Sequence, residues 1–269
     1  MLRLGRGAVR GLMVQASSSP AEAPRTASVT QALGDVRARI EKAFGAAQAK
    51  GTRAGPPPRL VAVGKTKPAE MIEEAYRAGH RCFGENYVQE IVDKAGNLPS
   101  DIEWHFIGHL QSNKAKALLE GVPNLAMLET VDSAKLANRL NRLCGDIDGR
   151  GEDRPLRVLV QVNTSGEESK HGVEPEDAVD LAAHIRKECP NLSFAGFMTI
   201  GMKDYTSKPE NFETLSACRA RACEAFGISE EACELSMGMS GDFEQAVTMG
   251  STNIRVGSTI FGARVYPNT

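Results

Sequence analysis

From Arg59 onward, short apolar runs rich in β-branched residues alternate with longer stretches of helical periodicity, and the alternation repeats eight times. The strand candidates are 60–63, 82–84, 104–107, 126–130, 157–162, 194–198, 234–237 and 254–256. Between them, 69–78, 87–95, 133–143, 175–187, 211–226 and 243–249 carry apolar residues at helical spacing, several opening on Pro, Ser or Asp as helix starts require. This is the pattern of βα units on a parallel sheet. Eight such units predict an α/β chain folded as a single (β/α)8 TIM barrel. Periodicity alone leaves an open doubly wound sheet as the alternative.

A chain of 269 residues with 41% hydrophobic and 25% charged content suits one such domain. The net charge of -2 supplies no field for a polyanion, and no stretch interleaves basic and aromatic residues, so nucleic acid is not an expected partner. No apolar run is long enough for a helical membrane span. The six cysteines, at 82, 144, 189, 218, 223 and 233, form neither a CxxC pair nor a regular framework, so buried reduced thiols and a reducing compartment are expected.

Ahead of the alternation, Val36, Ile40, Ala43, Phe44 and Ala47 mark a leading helix, closed off before Gly55-Pro56-Pro57-Pro58. It is read as preceding the fold proper, within a domain spanning 29–269. Residues 1–28 differ again: Arg3, Arg6, Arg10 and a serine run occur without an acid until Glu22. That composition fits a mitochondrial presequence and a disordered tail equally well. The expected location is the cytoplasm, joined by the mitochondrion if the segment is a presequence.

In a barrel of this kind, residues just past the strand C-termini converge on one face. Those positions are polar here: Lys65, Glu85, Asn86, His109, Asn163, Thr164, Thr199, Ser240 and Ser258. Lys65 follows a buried strand and precedes Lys67 and Pro68; partial desolvation and a neighbouring ammonium should depress its pKa and make it an aldehyde-reactive amine. A solvated loop lysine is the plainer alternative. Ser236-Met-Gly-Met-Ser-Gly-Asp242 and Arg255-Val-Gly-Ser-Thr259 are glycine-hydroxyl turns after strands seven and eight, where this barrel class grips phosphate. An amine facing a phosphate site describes a pyridoxal phosphate pocket. An inward Arg255 would disfavour protonation of the pyridine nitrogen and weaken the ring as an electron sink, although a buried structural ion pair would also account for an arginine there. His105 and His109 share the spacing of a zinc pair, but 104–107 reads as strand, so no metal is expected from them.

Several strings together resemble the pyridoxal phosphate homeostasis proteins, also called the proline synthetase co-transcribed family. They are Val63-Gly-Lys-Thr-Lys-Pro68, Phe83-Gly-Glu-Asn-Tyr87, Trp104-His-Phe-Ile-Gly-His-Leu-Gln111, Val162-Asn-Thr-Ser-Gly-Glu-Glu-Ser-Lys170, Met198-Thr-Ile-Gly201, Leu235-Ser-Met-Gly-Met-Ser240 and Arg255-Val-Gly-Ser258. The resemblance implies a barrel of the alanine racemase N-terminal domain type and a Schiff base to pyridoxal 5'-phosphate at Lys65. It also implies phosphate contacts around Ser240, Gly257 and Ser258, with Arg255 near the pyridine nitrogen. Asn86 joins this cofactor-binding set. Gly64 stands where many members carry serine, a departure that bears on one minor contact.

The expected role is therefore that of a non-catalytic carrier in vitamin B6 homeostasis, passing the cofactor to apo pyridoxal phosphate enzymes as a monomer or weak dimer. The catalytic alternative is a small fold-type III enzyme, such as an amino-acid racemase, with Tyr87 or His109 recruited as acid. A scaffold with a vestigial pocket is a third reading.

Overall fold

The computed structural model describes residues 28–167, 171–201 and 208–263. Apart from Ser28, the segment expected to target the chain or remain a tail lies outside the described residues, as do Glu168, Ser169 and Lys170. Eight parallel strands close into a barrel in sequence order: β1 (Arg59–Val63), β2 (Cys82–Glu85), β3 (Glu103–Phe106), β4 (Leu125–Val131), β5 (Leu156–Gln161), β6 (Leu192–Met198), β7 (Glu234–Ser236) and β8 (Asn253–Val256). The last strand pairs back to the first from Arg59 opposite Asn253 to Ala62 opposite Val256, which excludes the open sheet.

The helices are α1 (Val29–Ala49), α2 (Ala69–Arg77), α3 (Val88–Asn97), α4 (Ala115–Gly121), α5 (Ala134–Asp146), α6 (Ala178–Glu188), α7 (Pro209–Phe226), α8 (Phe243–Thr248) and α9 (Ser258–Phe261). Helix α4 is too short for periodicity to betray it, yet Ala115, Leu118 and Leu119 bury one face. The reading of α1 as preceding the fold needs correction. Capped by Ser28, it buries Val29, Leu33, Val36, Ile40 and Phe44 and packs against α2, α8 and α9. Only four residues form α9 after the last strand, so α1 supplies the missing length of shell at the β8–β1 seam. An exposed Arg39–Glu244 pair at 2.8 Å ties α1 to α8, but such pairs contribute at most about 1 kcal/mol and the buried stripe decides the packing.

Alternate strand residues divide between two cores. Phe83, Trp104, Phe106, Leu128, Val158, Phe197 and Leu235 face the helices in one large apolar layer. The opposite faces carry only two small apolar groups, Val61, Val63, Cys82 and Ile107 on one side, and Met127, Leu159, Ala195 and Met198 on the other. Strand residues His105, Glu129, Ser236, Asn253 and Arg255 are buried as well, so the barrel interior is unusually polar. All six cysteines are free and buried.

Strand β6 contains a register shift opposite Val158 and Leu159, where Gly196 adopts a φ of 145°. A Cβ there would lie 2.0 Å from the Glu234 carbonyl oxygen of β7. Gly196→Ala is therefore expected to destabilise the fold by about 3 kcal/mol or more through strain and overpacking, read by urea denaturation. A loss under about 1 kcal/mol would show that the β6–β7 contact yields more easily than its geometry implies.

Candidate functional site

Strand β1 ends in a tight turn. The Lys67 amide donates to the Gly64 carbonyl at 3.0 Å, which places half-buried Lys65 and then Thr66 at the centre of the turn. Thr66 has a φ of 62°, a left-handed conformation that a β-branched residue adopts only under constraint. Helix α3 supplies that constraint. Its Glu90 Oε2 accepts the Thr66 amide at 2.8 Å, and its buried Lys94 Nζ donates to the Gly64 carbonyl at 3.0 Å, to Glu85 Oε1 at 2.6 Å and to Glu90 Oε2 at 3.1 Å. The pieces of chain on either side of Lys65 are thus fastened to one ammonium and one carboxylate. Burial pushes the Glu85 carboxyl up to about 7 against the pull of Lys94, and its Oε2 is buried without a hydrogen-bond partner among the described residues. At Gly64 a Cβ would come within 2.3 Å of Ile72 Cδ1, so a serine would require Ile72 to turn aside.

A second network fixes Arg255. Its Nη1 donates to Ser236 Oγ at 2.6 Å and its Nη2 to the Thr199 carbonyl at 2.6 Å. Ser236 Oγ in turn donates to Glu129 Oε2 at 2.5 Å, while Glu129 Oε1 receives His105 Nδ1 at 2.6 Å and Asn253 Nδ2 at 2.8 Å. Burial opposes charge on both members of the His105–Glu129 pair. The Cys82 sulfur and Glu129 nevertheless raise His105 to about 10, and His105, Arg255 and Ser236 hold Glu129 below its ordinary value. Burial lowers the Arg255 pKa, with Glu129 and Asp242 pulling the other way. Arg255 is therefore both a structural ion-pair member, with Glu129 4.0 Å away, and a wall of the cavity above.

That cavity, of about 650 Å³, is lined by Lys65, Lys67, Ser240, Arg255, Gly257, Ser258 and neighbours from the ends of β1, β7 and β8. Five of the six residues expected to contact a cofactor thus meet in one place. Asn86 stands apart from this wall, half-buried, its Oδ1 enclosed without a partner among the described residues. The Gly257 amide donates to Ser240 Oγ at 3.3 Å, joining the two glycine-hydroxyl turns, and Lys67 Nζ donates to the Ala263 carbonyl at 2.6 Å. Among the described residues lining the cavity there are three cations, Lys65, Lys67 and Arg255, and no carboxylate. A second cavity, of about 600 Å³, includes Arg53, Arg59 and Glu234 and lies toward the strand N-termini, the end that serves stability in this fold.

Residues 46–265 match the family described as alanine racemase, N-terminal domain. The pyridoxal phosphate homeostasis protein of Mus musculus is 53% identical over 217 residues, 78% of each chain. The chain belongs to the pyridoxal phosphate homeostasis protein family. Among solved structures, an unknown protein from Bifidobacterium adolescentis matches with a TM-score of 0.75 and 34% identity, covering 87% of this chain and 94% of that one. PipY of Synechococcus elongatus with PLP bound matches with a TM-score of 0.65 and 31% identity, over 87% of this chain and all of PipY.

Within this family member, sequence reasoning missed the residues that brace the site. Glu129 is an acid in a strand that is apolar apart from it and Thr130, and Lys94 falls three residues after buried Ile91 on the inward face of α3. Both are charges at positions where the pattern calls for apolar residues, which is the signal that could have found them.

A carboxyl whose folded pKa lies above its ordinary 4.5 stabilises the fold fully below 4.5 and loses that contribution as the pH rises through about 7. Unfolding free energies of wild type and Glu85→Gln should therefore diverge across this interval, with the wild type losing stability relative to the variant as pH rises. Parallel pH profiles would mean that Glu85 is ionised throughout and fully compensated by Lys94.

Proposed function

We propose that this chain binds pyridoxal 5'-phosphate in the cavity at the ends of β1, β7 and β8 and serves its homeostasis as a carrier, without catalytic turnover. The observation that carries the reading is the wall itself: a braced lysine, two joined glycine-hydroxyl turns and a buried arginine, with no carboxylate among the described lining residues. Its positive character suits a phosphorylated anion, and its size suits a small cofactor. The homeostasis name of the curated relatives and the PLP in PipY support the same ligand.

The residues divide the work by their chemistry. Lys65 supplies the amine that tethers the cofactor's aldehyde, and its turn limits where that amine can reach. Ser240, Gly257 and Ser258 supply hydroxyl and amide donors for the phosphate. When bound, the cofactor offers a reactive aldehyde and a ring able to withdraw electrons, most strongly when its nitrogen is protonated. Arg255 presents only donors and positive charge, so beside that nitrogen it would keep a proton off, whereas a carboxylate would hold one there. Asn86, with its enclosed Oδ1, is a supporting contact at the rim. Apo pyridoxal phosphate enzymes are the proposed recipients.

Borohydride reduction of the loaded protein followed by peptide mass mapping is expected to leave the pyridoxyl group on Lys65, and Lys65→Ala should lose it. A stoichiometric label on another residue of the wild type would overturn the assignment. In heavy water, the loaded protein should exchange the α-proton of alanine no faster than free cofactor does. Turnover near the roughly 10 s⁻¹ of ordinary enzymes would instead establish the small racemase, and substitution of Tyr87 and His109 would then identify its acid.

A further inference from the structure

His109 does not pair with His105, whose side chain is inside the barrel on Glu129. It meets two residues from other loops. Asp132, immediately after β4, places Oδ2 3.3 Å from His109 Nδ1, and the His171 ring, in the loop after β5, stacks on the His109 ring at 3.5 Å between centroids and 7° between planes. One donor atom from each of the three lies within 4.8 Å of the others.

Two features make this a prepared site. The backbones are pinned: Gly108 packs so closely on Asn86 that a Cβ would meet its carbonyl at 2.0 Å, and the Gly108 carbonyl accepts Thr130 Oγ1 at 2.7 Å. The His171 carbonyl accepts Gln161 Nε2 at 2.8 Å, and Gly172 behind it is pressed against the Asn163 amide. The side chains remain adjustable, because both imidazoles are exposed and Asp132 is half-buried.

We propose that His109, Asp132 and His171 bind one divalent transition-metal ion of the zinc or cobalt class through two nitrogens and one carboxylate oxygen. Ion-to-donor distances of about 2.0–2.2 Å put tetrahedral donors roughly 3.4 Å apart, so the group must contract slightly. A metal must lie near the plane of each ring it binds, so uptake turns one imidazole out of the stack. The two-histidine, one-carboxylate set leaves positions open to water or an exogenous ligand. The site faces the mouth from β3, β4 and β5, whereas the cavity carrying Lys65 belongs to β1, β7 and β8.

The test is titration of chelator-treated, cofactor-free full-length protein with Co²⁺ followed by absorption, and with Zn²⁺ followed by calorimetry. One equivalent should bind, with d–d bands of nitrogen and oxygen ligation and no thiolate charge-transfer band. His171→Ala and Asp132→Asn should each weaken uptake at least about tenfold, with the circular dichroism spectrum and borohydride labelling of Lys65 unchanged. Absence of stoichiometric uptake, a thiolate band from the cysteines, or binding indifferent to both substitutions would each overturn the proposal.

Discussion

A carboxylate with no access to water sits inside the barrel, and the arrangement of the β8 side of the mouth follows from how it is compensated. Removing an ion such as Glu129 from water costs several kcal/mol, which only close partners can offset. Glu129 has His105, Ser236 and Asn253 in direct hydrogen bonds and Arg255 beyond Ser236. Apolar residues of matching shape would give a barrel at least as stable. What they would not give is a guanidinium held at a defined place under the cavity, since Arg255 takes its orientation from Ser236 and the Thr199 carbonyl. The polar interior is thus better understood as positioning than as stabilisation.

The neighbouring β1 part of the same mouth uses a different device. Around Lys65 the strain is in the backbone, at Thr66, and its compensation comes from α3 through Glu90 and Lys94. Both devices place cations toward one arc of the rim. A chain with a net charge of -2 consequently carries a locally positive cavity, because the carboxylates that balance Lys94 and Arg255 are buried beneath the wall. Local field and overall charge therefore have opposite signs, so the attraction for an anion is confined to the cavity.

Much of this was legible in the sequence because strand period and strand-end position are local properties. Lys65, Ser240, Arg255, Gly257 and Ser258 could be grouped once eight strands were counted, since the fold brings their ends to one face. Closure of the barrel was not legible, because pairing of Arg59 with Asn253 is a contact across the whole domain. The place of α1 was hidden for the same reason: its apolar stripe declares a partner without saying that α8 and α9 are the partner. His109, Asp132 and His171 come from three loops, and no spacing rule joins them. Glu129 and Lys94 were overlooked for another reason, since a charge inside an apolar pattern reads as a defect until its partner is seen.

These two devices also bear on whether Lys65, as the proposed tether, could do more than hold a ligand. Exchange of a proton at carbon requires a group of suitable pKa within reach of the reacting atom and an electron sink that stabilises the resulting charge. The braced turn answers only the demand for placement, since the lining residues described around Lys65 otherwise offer hydroxyls, amides and fixed cations. Arg255 presents only donors, and it is held in place by partners that cannot withdraw without stranding the Glu129 charge. A single substitution at Arg255 would leave a buried carboxylate undercompensated, so its charge cannot be removed without a cost in stability. Under the proposed function, architecture of this kind suits retention of a bound aldehyde rather than its use.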